Sequence, residues 1–409
     1  MSEWKTYKLG DIAKVIDSLH KTPTYTEKGY PMVRVTDLKG GYLRTKDCLL
    51  VSEDVYLDFS RNHKSEIGDI VISRVGSYGI TSYVNEPIDF CLGQNTAFIC
   101  SNGMDSKYLF YYLNSPKGKQ EIEGFVTGST QKTISLKSIK SLEILAPGLP
   151  TQRQIAQILS SLDDKIELNL QMNQTLEAMA QAVFKEWFVD FKFPGFDGEL
   201  VDGLPKGWRR GVLGEMVDKL SKGTTPTQKD LGSLEVQIPF LKVKDISDIG
   251  TISKNNLELI PIEVHQNQLK RSILETNDIL FSIAGTIGRV AIVDETLNFS
   301  NCNQAIAFIR LSDKNAFLEY IHLWLRSEAV QNNIKSSIVQ GVQANVSLTV
   351  LNNIEVLIPN DETLCEWNNL IKPIYHRIRT TIYQIESLTQ TRDTLLPKLI
   401  SGKMRLNCD

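Results

Sequence analysis

Polar side chains flanked by glycine occupy corresponding places in the two halves of this 409-residue chain. The clearest pair of segments is Gly128-Ser-Thr-Gln-Lys132 and Gln340-Gly-Val-Gln-Ala-Asn345. Gln and Asn can make paired hydrogen bonds to adenine, Lys can bond guanine or phosphate, and Gly lets a backbone approach closely. A solvated loop would have the same composition, so these segments are candidates only. The full set of candidates is Lys21, Thr22, Arg34, Arg74, Ser77, Tyr78, Ser129, Thr130, Gln131, Lys132, Lys222, Thr224, Thr225, Lys242, Thr286, Gln340, Gln343 and Asn345.

Motifs for bond-making chemistry are missing from the sequence. The five histidines form no HExxH pattern, and no GxxxxGKS or GxxxxGKT loop for ATP is present. The string nearest to the Asn/Asp-Pro-Pro-Tyr/Phe tetrapeptide of an amino-methyltransferase is Asn85-Glu-Pro-Ile88, which does not match. The nuclease-like string Asp163-Asp-Lys165 is of a kind that occurs by chance. The sequence therefore predicts no catalytic residue, no cofactor and no metal site. Six cysteines without CxxC spacing favour reduced thiols in a cytosolic protein.

The chain repeats itself about half its length further on. Asp69-Ile-Val-Ile-Ser73 returns as Asp278-Ile-Leu-Phe-Ser282, and each copy is followed by two glycines. Order, spacing and residue class all agree, which indicates a duplicated module that does one thing at two places. The matched positions run from Trp4 and Trp208, 204 residues apart, through Gly76 and Gly285, Gly79 and Gly288, and Gln94 and Gln304, to Pro147 and Pro359, 212 residues apart.

Each copy is of domain size and is predicted to be a mixed module of the α/β (α+β) class. Residues 67–72 and 279–283 are predicted strands that end in glycine-containing turns. Residues 105–113 and 316–325 are predicted helices with aromatic stripes. These stripes could stack on bases, but their spacing favours packing onto a sheet.

A long amphipathic helix is predicted after each module. In the first, Ile155, Leu162 and Leu176 share one seven-residue position, which makes a coiled-coil-like apolar face. Asn169 lies on this face, where it would either set the helix register or mark a helix end or wet patch. In the second, prolines are expected to break the helix at its start, Pro373, and at its end, Pro397. Two such helices can pair antiparallel, which would place the modules at opposite ends of a stiff handle about a pseudo-two-fold axis. The predicted organisation is residues 1–150, first module; 151–192, central helix; 193–207, Gly- and Pro-rich linker; 208–360, second module; and 361–409, C-terminal helix and tail.

The composition is that of an ordinary globular protein. It is 42% hydrophobic and 23% charged, with mean hydropathy −0.16 and formal net charge −3. No apolar stretch or N-terminal signal region suggests a membrane or export, so a cytoplasmic protein is expected. Residues 1–150 hold 18 Lys and Arg against 17 Asp and Glu, and residues 201–360 hold 16 against 17. Neither module is the strongly basic body expected of a free-standing DNA-binding domain, so nucleic-acid binding would need local patches or basic partner subunits.

Three motifs resemble the specificity (S) subunits of type I restriction–modification systems. Gly203-Leu-Pro-Lys-Gly-Trp208, running into Leu213-Gly-Glu215, resembles the entry to a target-recognition domain of that family. Lys185-Glu-Trp-Phe-Val-Asp-Phe191 resembles the end of its first spacer helix, and Arg392-Asp-Thr-Leu-Leu-Pro-Lys-Leu-Ile-Ser-Gly402 the end of its C-terminal one. The resemblance covers essentially the whole chain in the family's order of module, helix, module, helix.

This resemblance implies a non-catalytic subunit that recognises double-stranded DNA. Each target-recognition domain would bind one half of a split target, and the two antiparallel helices would fix the length of the unrecognised gap. The helices would also dock two methyltransferase (modification) subunits, which allow restriction subunits to join. S-adenosylmethionine, ATP and Mg would then belong to the partner subunits alone. Because the two modules differ in detail, the target should be asymmetric.

Two other interpretations remain open. A scaffold or adaptor with two protein-binding modules would have no DNA affinity, even beside a methyltransferase partner, and the near-zero charge of the modules mildly favours it. A nuclease or methyltransferase in its own right would show metal- or S-adenosylmethionine-dependent activity as the purified chain.

Overall fold

The computed structural model describes residues 4–128, 132–227, 235–254, 256–340 and 345–404, except for the side chains of Val236 and of residues 337–340. The chain forms two compact units. Unit 1 comprises Met1–Asn169 with Tyr383–Asp409, and unit 2 comprises Leu170–Ile382. Each unit therefore contains one copy of the repeated module and part of each long helix.

Unit 1 is built on a four-stranded antiparallel sheet with strand order β2-β8-β5-β6. A second sheet has the order β4-β3-β7, in which β3 is antiparallel to β4 and parallel to β7, and β1 pairs with β9. The strands are β1 Lys5–Lys8, β2 Ala13–Asp17, β3 Tyr30–Val33, β4 Leu49–Val51, β5 Ile70–Ser73, β6 Thr81–Tyr83, β7 Cys91–Leu92, β8 Thr96–Ser101 and β9 Glu143–Ala146. The helices of this module are α1 Leu9–Ile12, α2 Glu53–Phe59, α3 Ser106–Asn114, α4 Pro116–Gly124 and α5 Leu136–Lys140.

Unit 2 repeats this topology strand for strand. Its four-stranded antiparallel sheet has the order β13-β19-β16-β17, its three-stranded sheet the order β15-β14-β18, and β12 pairs with β20. The strands are β10 Leu200–Val201, β11 Leu204–Pro205, β12 Arg209–Val212, β13 Val217–Lys222, β14 Val236–Leu241, β15 Glu258–Pro261, β16 Ile279–Ser282, β17 Val290–Ile292, β18 Asn301–Cys302, β19 Ile306–Leu311 and β20 Glu355–Ile358. The helices of the second module are α7 Ile262–Gln266, α8 Lys314–Arg326, α9 Glu328–Gln340 and α10 Leu348–Asn352, where α6 is the long helix described below. The predicted duplication is thereby confirmed at the level of sheet order.

The predicted strand at residues 67–72 begins later than expected, at Ile70. Gly68 has φ of 101°, a left-handed conformation that suits glycine, and the Asp69 carboxylate accepts a bond from the Glu66 backbone N–H at 2.8 Å. These two features make a turn that postpones the extended backbone.

The aromatic stripes of the predicted helices are buried, as their spacing indicated, except that Trp324 is only partly buried. Tyr108 and Tyr320 are both fully buried, and the hydroxyl of each donates to a backbone carbonyl, that of Leu145 and that of Leu357 respectively. Burial of a ring with its hydroxyl satisfied is how a tyrosine fits a core. These side chains hold the helix onto the sheet and have no surface to offer to a base.

The two long helices are α6 Leu149–Phe188 and α11 Asp361–Ile400. Within each unit the parts of these helices pack antiparallel, because contacts further along α6 fall earlier along α11. No helix among the described residues is long and apolar enough to cross a membrane. The contacts that define the pairing are Asp163 with Arg392 and Asn169 with Gln384 in unit 1, and Met172 with Arg377 and Phe188 with Trp367 in unit 2.

The expectation that prolines break the second long helix was wrong, because α11 continues through Pro373 and Pro397. A proline inside a helix loses one backbone hydrogen bond and crowds the preceding turn. Here Ile371 and Tyr375 are buried on either side of Pro373, and Leu399 is buried just after Pro397. Burial of these side chains offsets the lost hydrogen bonds and keeps the helix continuous.

The Gly- and Pro-rich segment before the second module is a connector with little regular structure. It contains only the two-residue strands β10 and β11, paired as a hairpin. Phe193 stacks on Trp208 with ring centroids 5.1 Å apart, and Phe191 meets the same indole edge-on. These rings attach the connector to the core of unit 2.

Candidate nucleic-acid interface

Those predicted contact residues of the first module that the structure describes lie on or beside loops at one end of its four-stranded sheet. Strands β2 and β5 end there and strands β6 and β8 begin there, because neighbouring strands are antiparallel. Arg74 N donates to Asn95 O at 2.8 Å, and Gly76 N donates to Lys132 O at 3.0 Å, so the loops are joined. We name this surface loop edge 1, and its described loops are residues 18–29, 74–80, 93–95, 125–128 and 132–135.

A short turn between β7 and β8 extends loop edge 1 to further candidates. The exposed side chain of Gln94 donates from Nε2 to Thr22 Oγ1 at 3.4 Å. Gly93 N donates to Val33 O at 2.8 Å, which places Arg34 beside the same turn. The turn thus connects the β2–β3 loop with the end of the second sheet.

The hairpin loop between β5 and β6 is shaped by one buried serine. Ser73 Oγ donates to Ser77 O at 2.5 Å and accepts from Ile80 N at 3.0 Å. Gly76 and Gly79 both have φ of 72°, so the glycines serve a tight turn. The loop presents the exposed Ser77 and the half-buried Tyr78 at its tip.

The two arginines at loop edge 1, Arg74 and Arg34, are paired with carboxylates. Arg74 is largely enclosed and bonds Asp17, while Arg34 Nε donates to Asp37 at 2.9 Å. The hydrogen bond to that carboxylate raises the pKa of Arg34. Both arginines therefore have a structural partner within the module.

Two lysines of loop edge 1 are more accessible. Lys132 Nζ lies 2.9 Å from Glu123 and 3.2 Å from the Tyr78 hydroxyl, and Lys21 Nζ lies 3.3 Å from Asp58. The hydrogen bond with Glu123 raises the pKa of Lys132, so this ammonium stays charged. Exposed ion pairs contribute little to the stability of a fold, so either lysine can exchange its carboxylate for a phosphate at little cost.

The second module has an equivalent surface at the same end of its own sheet. Thr224 N donates to Cys302 O at 3.1 Å, and Ile283 N donates to Ala305 O at 2.8 Å. Val346 N donates to Ile283 O at 2.9 Å, as Ile134 N does to Arg74 O in the first module. We name this surface loop edge 2, and its described loops are residues 223–227, 283–289, 303–305 and 345–347.

The turn geometry of the first module recurs in loop edge 2. Ser282 Oγ donates to Thr286 O at 2.6 Å and accepts from Arg289 N at 2.7 Å. Gly285 and Gly288 have φ of 74° and 93°. Thr286 is exposed at the tip, in the place of Ser77.

The other candidates of the second module differ in their partners. Lys242 Nζ lies 2.6 Å from Glu258, and Thr225 Oγ1 donates to the side-chain oxygen of Gln304. Lys222 is exposed and makes no ion pair with any residue that the structure describes. Thr224 and Asn345 are also exposed.

Two glutamines at the centre of these surfaces were not among the predicted contact residues. Gln94 and Gln304 are both exposed and lie at equivalent turns. Gln94 is hydrogen-bonded to Thr22, and Gln304 is hydrogen-bonded to Thr225. The sequence did contain a signal for them, because Gln94 and Gln304 are matched positions of the repeat. That match was used only to align the two modules. The candidates Ser129, Thr130, Gln131 and Gln343, and the side chain of Gln340, lie outside the described residues.

Most of the chain matches the model of one protein family. Residues 1–178 and 205–395 each match the family described as type I restriction modification DNA specificity domain. Each match spans one module and a large part of the helix that follows it.

Relatives in two organisms show the same similarity. The type I restriction enzyme MjaIX specificity subunit of Methanocaldococcus jannaschii is 26% identical over 83% of this chain and 78% of its own length. The HindI specificity subunit of Haemophilus influenzae is 25% identical over 99% of this chain and 100% of its own length.

The fold is also similar to that of a solved structure. The crystal structure of the type I restriction–modification system S subunit from M. genitalium matches 97% of this chain and 96% of its own length, with TM-score 0.57 and 17% sequence identity. The mixed α/β fold of this chain is therefore shared with that solved structure.

Proposed function

The chain belongs to the type I restriction modification DNA specificity family, and on that premise we propose how its two modules recognise DNA. It is the DNA-recognition subunit of a type I restriction–modification complex and is itself non-catalytic. Each module binds one half of a split target through its loop edge. The helices α6 and α11 set the gap between the halves.

The observation that best supports this function is that loop edge 1 and loop edge 2 are built in the same way. In each module the same four loops converge, and the same serine-braced turn presents an exposed hydroxyl residue at its tip. An exposed glutamine occupies the central turn in both. Glutamine can make two hydrogen bonds to one adenine edge, and hydroxyl side chains bond bases or phosphates.

The charge distribution predicts that the isolated chain binds DNA weakly. Lys21, Lys132 and Lys242 already face carboxylates, so a phosphate contact by any of these three lysines must replace an ion pair. Phosphate neutralisation supplies most of the affinity of a DNA-binding protein. Partner subunits would therefore contribute basic surface, and full affinity would belong to the complex.

The long helices offer surface for such partners. Leu168 in unit 1, and Met179 and Leu370 in unit 2, are large apolar side chains with 43–55% exposure. In unit 2 a groove of about 630 Å³ is lined by side chains that include Ala178 and Ala182. Two methyltransferase subunits dock here in our proposal, and S-adenosylmethionine, ATP and Mg act in partner subunits.

The test is to co-express the chain with the methyltransferase subunit from its own locus in a methylation-free host. Genomic N6-methyladenine should then map to a split, asymmetric motif with a fixed gap. An unmethylated genome, despite a stable complex that binds S-adenosylmethionine, would contradict the proposal and favour the adaptor interpretation.

A matched pair of variants assigns each module to a half-site. Gln94→Ala should relax or abolish recognition of one half of the motif, and Gln304→Ala the other half. Loss of a bidentate contact corresponds to about 1–3 kcal/mol of discrimination between bases. Methylated sites should therefore include sequences with other bases at the affected position of the motif. Variants that methylate the unaltered motif would exclude a base-contacting role for these glutamines.

A further inference from the structure

A histidine, an aspartate and a cysteine meet at the end of the first module's sheet opposite to loop edge 1. His63 Nε2 lies 2.7 Å from Asp69 Oδ2, and Cys100 Sγ lies 3.4 Å from His63 Nε2. One ligand atom of each side chain lies within 4.8 Å of the other two. Asp69 precedes β5 and Cys100 is near the end of β8, so the sheet pairing brings together residues that no sequence motif connects.

At the equivalent place in the second module, a buried aspartate is paired with an arginine of the same chain. Strands β5 and β8 pair in the register in which β16 and β19 pair, so Asp278 corresponds to Asp69 and Arg310 corresponds to Cys100. Arg310 donates to both oxygens of the fully buried Asp278, at 2.9 and 2.7 Å. The first module places a thiol and an imidazole beside its buried carboxylate instead of a guanidinium.

We propose that His63, Asp69 and Cys100 bind a divalent cation of the zinc class. Imidazole nitrogen, thiolate sulfur and carboxylate oxygen are the three ligand types that zinc uses in proteins. Three protein ligands leave a fourth tetrahedral position for water. The cation takes the place that the arginine has in the second module. This proposal does not depend on the DNA-recognition role of the chain.

The observed spacing requires only a small adjustment for the cation. Zinc bond lengths at tetrahedral angles correspond to nitrogen–sulfur separations of about 3.6 Å and nitrogen–oxygen separations of about 3.4 Å. The nitrogen–sulfur distance of 3.4 Å already fits, and His63 must move from Asp69 by less than about 1 Å. The imidazole is half-buried and packs edge-on against Phe98 with ring centroids 4.9 Å apart, which restrains its direction.

The thiol must lose its proton when the cation binds. Burial, and then the hydrogen bond with Asp69, raise the pKa of Cys100, so the free thiol is protonated at neutral pH. A bound divalent cation deprotonates a coordinating thiol and releases a proton, so binding strengthens as pH rises. The bound cation would join the connection after α2, where His63 lies, to strands β5 and β8.

The test is a cobalt(II) titration of the full-length chain, followed by displacement with zinc. Binding at this site should produce a thiolate-to-cobalt absorption band that saturates at one equivalent per chain. The temperature of unfolding should rise with zinc concentration, because a ligand that binds only the folded state stabilises it. Absence of the band at saturating cobalt would overturn the proposal.

Three variants assign the band to this cluster. Cys100→Ser should abolish it, and His63→Gln should weaken binding by at least about 10-fold, the lower end of the effect of losing even an outer-shell partner. Cys365→Ser removes an exposed thiol on α11 and should leave the titration unchanged. A band that survives in Cys100→Ser, or that disappears in Cys365→Ser, would place the cation elsewhere. If one cluster variant fails to fold, the other still provides the test.

Discussion

A buried ion pair attaches α8 of the second module to the long helix α6, and its loss should destabilise unit 2. Arg326 Nη2 donates to Glu177 Oε2 at 2.8 Å, and the two side chains are only 10% and 15% exposed. The perturbation is Arg326→Met, which keeps much of the side-chain volume but removes the charge. Glu177 is then left buried without a cation.

The expected cost follows from two independent estimates. Two unit charges about 4 Å apart interact by roughly 4 kcal/mol at an effective dielectric constant of about 20. Removing one partner of a buried pair typically costs about 3–5 kcal/mol. Arg326→Met should therefore lower the free energy of unfolding of unit 2 by about 3–5 kcal/mol near neutral pH. The double variant Arg326→Met/Glu177→Met should return to within about 1 kcal/mol of the parent, because no buried charge remains.

The destabilisation should depend on pH in a defined direction. Burial raises the pKa of Glu177 above its ordinary value even beside Arg326, whose charge lowers it. Without that arginine the folded-state pKa rises further above the unfolded one. When the pKa of a carboxyl is higher in the folded state than in the unfolded state, the free energy of unfolding falls as pH rises through the folded-state pKa. The free energy of unfolding of Arg326→Met should therefore be nearest to that of the parent at acidic pH.

Unfolding in denaturant, followed by tryptophan fluorescence, measures this effect. Four of the five tryptophans, Trp187, Trp208, Trp324 and Trp367, lie in unit 2. The matched control is Arg210→Met, which breaks an arginine–glutamate pair with Glu355 in which both side chains are 57% exposed. It should cost no more than about 1 kcal/mol. Equal destabilisation of the single and double variants, with no recovery at acidic pH, would refute the reasoning.

The remaining predictions concern the loop edges and the paired helices. Gly288→Ala should lower the unfolding free energy by roughly 1 kcal/mol more than Gly285→Ala, although both glycines have positive φ. At Gly288 the new Cβ would lie 2.3 Å from Gln331 Oε1, and Gln331 can move away only by giving up the bonds from its Nε2 to Gly288 O and Leu325 O, whereas nothing lies near a Cβ at Gly285. Denaturant melts compare the two, and equal losses would contradict this steric argument. Lys222→Met should weaken DNA binding by the methyltransferase complex and reduce the slope of log affinity against log salt by about 0.9, if it neutralises one phosphate. An unchanged slope in a salt series would remove Lys222 from the interface. Asn169→Leu should raise the unfolding free energy of unit 1 by about 1–2 kcal/mol, because Asn169 is fully buried and its only described bond is a long one of 3.5 Å to Gln384. Thermal unfolding measures this change, and a loss of stability would instead support a register-setting role.

The duplicated organisation was predictable because it depends on local patterns. A run of three apolar residues before paired glycines marks the same hairpin at Ser73 and at Ser282, and the structure gives both the same sheet neighbours. The long helices were predicted within residues 151–192 and 361–409, and α6 and α11 begin within about two residues of those starts, because apolar spacing is set by the helical repeat itself. The prediction that Pro373 and Pro397 break α11 was wrong. The rule that proline breaks a helix considers only the local backbone and not the burial of neighbouring side chains that keeps the helix intact.

The sequence alone determined that two similar α/β modules alternate with two long amphipathic helices, and the ordered motifs identified the family. Only the tertiary structure decided which side chains meet. Strand order and register bring Arg74 to Asp17 and Gln94 to Thr22. These partners are 57 and 72 residues apart in the sequence, so no local pattern predicts that they meet. The same register brings His63 to Cys100, whereas the equivalent position in the second module is an arginine. Backbone periodicity is a property of neighbouring residues, but a binding surface depends on pairings between distant strands, and those are settled only when the sheets form.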